Sequence, residues 1–143
     1  MDLTMEGYSI GVNEAQVMDY QDFLGKYQGE DEYSYPPEKI YDVSVTLKNL
    51  GADDTTGINM MDFYISGLAV CADLNIDMYD LANPQLSGQY AIALRKNSEL
   101  EIHLPFSLWE ADYHRKTWNK LEEFEMNLVT TLYPVKQVIS LNK

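Results

Sequence analysis

The stretch Ile40-Tyr41-Asp42-Val43-Ser44-Val45-Thr46-Leu47-Lys48-Asn49-Leu50-Gly51 decides how the chain folds. Tyr41, Val43, Val45 and Leu47 alternate with Asp42, Ser44, Thr46 and Lys48. Successive side chains of a strand point to opposite faces. One face here is therefore apolar and the other acidic, hydroxylic and basic. The pattern predicts a strand that packs one side on a core and leaves the other wet, as in an antiparallel sheet. Asn49-Leu50-Gly51 supplies the turn that ends it.

Toward the N-terminus, Tyr8, Ile10 and Val12 share a face of a short first strand over residues 6–13, which Asn13-Glu14-Ala15-Gln16 ends. Val17, Tyr20, Phe23, Leu24 and Tyr27 then follow a helical period, with Asp19 as a cap over Tyr20–Lys26 and Asp22 in the first turn. Residues 28–39 hold three consecutive acids and Pro36-Pro37, neither of which can donate to a ladder, so a loop is expected. Tyr33 and Tyr35 are expected to lie as lids on the core edge.

Toward the C-terminus, residues 51–57 form a turn-rich link that includes Asp53-Asp54-Thr55-Thr56. Asn59–Ser66 reads as a strand with Met61, Phe63 and Ile65 inward. Leu68–Cys71 is a short apolar run, and Ile76, Met78 and Tyr79 begin another element that Asn83-Pro84 stops. Gln89–Arg95 and Glu99–His103 alternate around Lys96-Asn97-Ser98 and read as a hairpin. Residues 107–120 are a long aromatic and basic connection. Phe124, Met126 and Leu128 mark a penultimate strand, Tyr133-Pro134 a corner, and Val135–Leu141 a last strand with Ile139 and Leu141 inward. About seven to nine short strands with turns between them predict an all-β chain, an antiparallel β-sandwich in one domain with one short helix near the N-terminus. The chain's 143 residues are enough for one such core.

Composition narrows the function classes. The net charge is −13, with −7 in residues 1–40, −6 in residues 41–90 and zero in residues 91–143. Nucleic-acid binding runs on phosphate neutralisation by Lys and Arg, and anionic lipid surfaces ask for the same residues. This distribution argues against both and favours solubility and basic partners. No apolar run reaches the roughly 20 residues of a membrane span. The segment Met1–Glu6 has neither a basic region nor an apolar core, so a cytoplasmic protein, or one whose leader lies outside this sequence, is expected.

Val43–Gly51 followed by Met61-Asp62-Phe63 resembles the strand, Lys-Asn-x-Gly and Asp-Phe pattern of small Ig-like domains in bacterial cell-envelope lipoproteins. Asn97–Phe106, with its Leu-Pro-Phe ending, and Tyr133-Pro134-Val135-Lys136 are similar to the same group, so the likeness covers residues 40–141. It implies an Ig-like sandwich of unknown function, outside the cytoplasm and tethered by an upstream lipid. It implies no catalytic residue, and its partner would be a protein or another extracellular ligand.

Candidate chemistry is sparse. Asp73, Asn75 and Asp77 have the spacing that opens a calcium loop, but Met78 stands where its glycine belongs and Pro84 where its closing glutamate belongs. These three residues are a weak metal-binding alternative. His103 lies on the predicted wet face with Glu99 and Glu101, and His114 stands near Asp112. Two scattered histidines and one cysteine do not make a zinc site. No nucleophile elbow supports a hydrolase triad. The methionines, Met60-Met61 among them, fill core gaps more readily than they bind copper. Cys71 sits in an apolar run, and a buried inert thiol is expected there. The functional surface with most to offer is Trp109, Tyr113, Arg115 and Trp118, because aromatics and Arg are enriched at binding hot spots. The sequence thus points to a binding or assembly module rather than an enzyme, with no cofactor.

Overall fold

The stretch that decides the fold runs as a strand from Lys39 to Asn49 in a computed structural model, which describes residues 2–5, 7–53, 57–130 and 137–141. With β1 (Asp2–Met5), β2 (Tyr8–Asp19) and β8 (Glu99–Leu108), this strand, β3, forms an antiparallel sheet of order β1-β2-β3-β8. A second sheet has the order β10-β9-β5-β6, from β5 (Phe63–Gly67), β6 (Cys71–Asp73), β9 (Met126–Thr130) and β10 (Gln137–Ser140). A small ribbon pairs β4 (Ile58–Asn59) with β7 (Ala91–Ile92). The inner residues Val43, Val45 and Leu47 join Ile102, Leu104 and Phe106 of β8 and Phe63, Ile65, Met126 and Leu128 of the second sheet in one buried cluster. The domain is therefore mostly β, built on one large core.

Tyr41, Val43, Val45 and Leu47 are buried as expected, but the polar face of β3 is not wet along its whole length. Asp42 is only 3% exposed and Ser44 is buried, while Lys48 is exposed. The cause is a second apolar layer over this end of the sheet. Helix α1 (Tyr20–Tyr27) and helix α2 (Ile76–Ala82) bring Tyr20, Phe23, Leu24, Met78 and Ala82 against Met18 and Ile40. The helix expected near Tyr20 is present, with Asp19 as its first flanking residue and Gln28 closing it in the left-handed region at φ 56°. The expectation of a single helix is corrected. Asn75 caps α2, whose end falls at Asn83-Pro84, and α3 (Arg115–Trp118) lies in the long connection.

Three further expectations are corrected. The first strand does not end at Asn13. It continues to Asp19 through a bulge between Val12 and Glu14, which shifts inward-facing positions from even to odd residue numbers. Val12 lies opposite Val45, whereas Ala15 and Val17 lie opposite Val43 and Tyr41. A bulge breaks the period of two, which hides the strand's second half; of the residues expected on a helical period, Val17 belongs to this strand and Tyr20–Tyr27 to the helix. Next, a 3-10 turn at Met60–Asp62 resets the predicted strand, so Met60 is 1% exposed and Met61 42% exposed. Finally, residues 89–95 and 99–103 do not form a hairpin with each other. Ala91 and Ile92 pair with β4, while β8 pairs with β3 from Lys39↔Leu108 to Lys48↔Glu99. Asn97 sits at φ 68°, and its N–H donates to the Asn49 carbonyl at 2.9 Å.

Residues 28–38 form the expected loop without helix or strand. Tyr33 packs against the second apolar cluster, whereas Tyr35 is exposed rather than a lid. The corner at Tyr133-Pro134 lies outside the described residues, as does part of the link at 54–56. The last strand is present over Gln137–Ser140, and Leu141 is buried.

Candidate functional site

Each of the two large sheets ends in an edge strand, and the edges β6 and β8 meet at one point. A single antiparallel bridge pairs Leu74 with Phe106, and the Asn75 N–H donates to the Pro105 carbonyl at 2.9 Å. Pro105 has no N–H of its own, so an edge is where a strand tolerates it. Beyond the bridge the pairing stops, and a cavity of about 480 Å³ opens, lined by residues 71–77, Ser107, Trp109 and Asp112. Asn75 anchors its floor. The Asn75 Oδ1 accepts from the Met78 N–H at 3.1 Å and its Nδ2 donates to Ser107 Oγ at 2.9 Å. Start of helix and end of strand are thereby tied together.

Among the described residues the lining carries three carboxylates, Asp73, Asp77 and Asp112, one large aromatic, Trp109, and no Lys, Arg or His. A cleft lined by one sign of charge focuses its field and concentrates the opposite charge. Tyr113 stands beside it, donating its hydroxyl proton to the Cys71 carbonyl at 2.9 Å. Burial pushes the Tyr113 hydroxyl up, and the charges of Asp112 and Asp73 add to it. A second cavity, lined by residues 66–71, Asp112 and Tyr113, shares Cys71 and Asp112 with the first. A third shares residues 66–68 with the second and adds Glu123, Phe124, Glu125 and Asn127. Together they make one acidic concave strip around the turn at Gly67–Val70, whose tip, Leu68, is 99% exposed.

The residues expected to bind are divided by the fold. Trp109 lines the cavity and Tyr113 adjoins it, both half-buried. Trp118 is 7% exposed and belongs to the core, with Tyr113 stacked on it at 6.1 Å and Lys39 Nζ 5.3 Å from its ring centre. Arg115 is exposed on α3. Asp73, Asn75 and Asp77 do share the cavity, but the Asn75 oxygen is committed to its helix. Among the described residues, no group of three or more His, Cys, Asp or Glu is placed to hold a metal. Cys71 is not the buried thiol expected. It is exposed, because Val70 and Ala72 take the core-facing positions of this hairpin.

Sequence reasoning missed a second polar centre under α1. The Lys26 ammonium and the Tyr27 hydroxyl both reach Asp42 Oδ2 at 2.7 Å. The Tyr27 oxygen also lies 3.0 Å from His103 Nδ1, and His103 Nε2 lies 3.4 Å from Glu101. A phenol carries one proton. With that proton on Asp42, the ring contact requires His103 Nδ1 to be the donor. Burial and the bond to Asp42 push the Tyr27 hydroxyl strongly upward. The chain of contacts clamps α1 to β3 and β8.

Two other buried phenols behave alike. Burial and Asp31 push Tyr20 from its ordinary 10.0 to about 12, and burial and Asp80 push Tyr79 to about 12. The unfolded chain loses these protons near pH 10.0, whereas the folded chain keeps them. Their stabilisation is therefore complete below pH 10.0 and falls as the pH climbs toward about 12. Each group contributes at most about 1.4 kcal/mol per pH unit in that window, and less where solvent screens its hydroxyl. Urea midpoints measured across alkaline pH should fall in step with tyrosinate absorbance; a flat midpoint would contradict the burial of these hydroxyls.

The model of the family described as "Domain of unknown function (DUF5028)" matches residues 2–137, and the chain belongs to that family. No curated protein and no solved structure matches it.

Proposed function

We propose that this DUF5028 domain is a non-enzymatic binding module at the cell envelope, outside the cytoplasm, whose two large sheets form an Ig-like sandwich and whose partner is a cationic protein segment. The observation that carries this reading is the cavity at the β6–β8 seam. Among the described residues it combines Asp73, Asp77 and Asp112 with the Trp109 wall and has no cation of its own. Carboxylates beside an aromatic face suit Lys or Arg, whose charge pairs with the former while its stem or guanidinium lies on the latter. The sandwich is supported by the core that inner residues of both sheets share. The envelope location is supported by the likeness of Val43–Gly51 and Met61-Asp62-Phe63 to lipoprotein domains, and no helix among the described residues is long and apolar enough to cross a membrane.

Calorimetric titration with an oligolysine peptide and with an oligoglutamate peptide tests the reading. The first should bind and the second should not. Asp73→Asn with Asp77→Asn should weaken the lysine peptide about tenfold or more, the scale of one or two lost charge contacts. Raising the salt should weaken it further. Binding that is indifferent to both substitutions would overturn this assignment of the site.

A further inference from the structure

We infer that a small cavity on the flank of β2 is a second ligand site, one that takes an amino alcohol, with the buried Tyr41 hydroxyl as its recognition group. The cavity measures about 310 Å³ and is lined by Ala15, Gln16, Val17, Tyr41 and Glu122. It shares no residue with the seam and does not depend on the reading of that site. The bulge in β2 makes room for it. By moving the inward positions to odd numbers, the bulge sets Ala15 opposite Val43 and Val17 opposite Tyr41. Both inward residues are short, so neither fills the space beside the tyrosine ring. β1 pairs with β2 only as far as Gly11, which leaves this flank of β2 without a neighbouring strand among the described residues. The 3-10 turn at Leu121–Glu123 lies against β2, with Leu121 in the core and Glu122 exposed in the lining.

Tyr41 is 8% exposed, yet its hydroxyl has no hydrogen-bond partner among the described residues, and the oxygen is not sealed from solvent. Buried polar groups are normally bonded, so an unpaired phenol facing a cavity asks for a ligand. Burial alone pushes this hydroxyl up. It therefore stays protonated and can donate to a ligand oxygen. Among the described residues, Glu122 supplies the one charged group of the lining, a carboxylate that suits an ammonium. Lys39, two residues before Tyr41 on the same face of β3, lies over the Trp118 ring instead, its Nζ 5.3 Å from the ring centre. Ala15 and Val17 offer apolar contact between the two polar groups. An ammonium, a short methylene stem and a terminal oxygen match these walls in order.

The test titrates the full chain with aminopentanol, pentylamine and hydroxypentanoate while amide chemical shifts are followed. Aminopentanol should shift the amides of Ala15, Gln16, Val17, Tyr41 and Glu122. It should bind about five- to tenfold more tightly than pentylamine, which lacks the oxygen, the scale of one hydrogen bond. Hydroxypentanoate, with the opposite charge, should bind weakest. Tyr41→Phe should erase the preference for aminopentanol and leave the urea midpoint unchanged or higher, because the hydroxyl has no internal partner to lose. Glu122→Gln should weaken both amines. Asp73→Asn with Asp77→Asn should weaken neither, which separates failure here from failure at the seam. Silent amides around the cavity, equal binding of the two amines, a preference that survives Tyr41→Phe, or a midpoint lowered by Tyr41→Phe would each overturn the assignment.

Discussion

Asp42→Ala should destabilise the domain by about 3 kcal/mol or more, in the range seen when one partner of a buried ion pair is removed. The Asp42 side chain is almost completely buried on β3, and it takes both the Lys26 ammonium at 2.7 Å and the Tyr27 hydroxyl at 2.7 Å. Removing it leaves His103 Nδ1, 3.0 Å away, as the remaining partner of the half-buried Tyr27 hydroxyl. Lys26 is half-exposed and can turn back to water, so the loss should sit near the lower end of that range. Replacing the whole centre is a different matter. Burying charge is costly in itself, and apolar residues of similar volume often restore what a single deletion loses. Asp42→Leu combined with Lys26→Met and Tyr27→Phe should therefore be much more stable than Asp42→Ala. One oxygen of Asp42 has no hydrogen-bond partner among the described residues, which favours that outcome. Urea unfolding of the two variants checks the ordering; a triple variant less stable than Asp42→Ala would contradict it.

Asn83→Ala should cost about 2–4 kcal/mol, because it strands more than one backbone group at once. Asn83 is fully buried at the end of α2. Its Nδ2 donates to the Tyr79 carbonyl at 2.9 Å and the His103 carbonyl at 2.8 Å, and its Oδ1 accepts from the His103 N–H at 2.8 Å. It thus replaces, for β8, the neighbouring strand that an edge lacks. Loss of this bracket should also loosen α2, which carries Asp77 into the cavity. The variant should unfold at lower urea and show faster amide exchange across Ile76–Ala82 and at His103. Unchanged exchange there would mean that α2 is held by its apolar face alone.

These two residues show where sequence reading succeeds and where it stops. The run from Ile40 to Leu47 was legible because its inward face depends only on alternation, which local chemistry carries. Asn49 was legible as a turn, and its side chain does hold that turn, accepting from Gly51 and Ala52 and donating to the carbonyls of Ala52 and Leu94. Asp42 was misread because its partners come from α1, 15 and 16 residues away, and nothing local says that a helix will cover that face. The bulge at Asn13 was invisible for a related reason. One extra residue changes the parity of everything after it, and the bulge announces itself only through the partner strand.

The site was half legible. Asp73, Asn75, Asp77 and Trp109 were singled out, but for separate reasons and as separate sites. What joins them is the bridge between Leu74 and Phe106, a contact across 32 positions of sequence that closes one end of the seam and leaves the other open. The spacing of Asp73, Asn75 and Asp77 suggested metal ligation. In the fold that spacing places the three at the end of a strand, a helix cap and a first helical turn in succession. The exposure of Cys71 and Leu68 followed from a tight turn whose strands were too short to recognise by pattern.

The most direct measurement is an amide chemical-shift map of the full chain titrated with the oligolysine peptide. If the seam is the binding site, the perturbed amides fall within residues 71–77 and 107–113, and Asp73→Asn with Asp77→Asn abolishes the perturbation. Shifts centred instead on the acidic loop at Glu30-Asp31-Glu32, with the seam silent, would contradict the assignment.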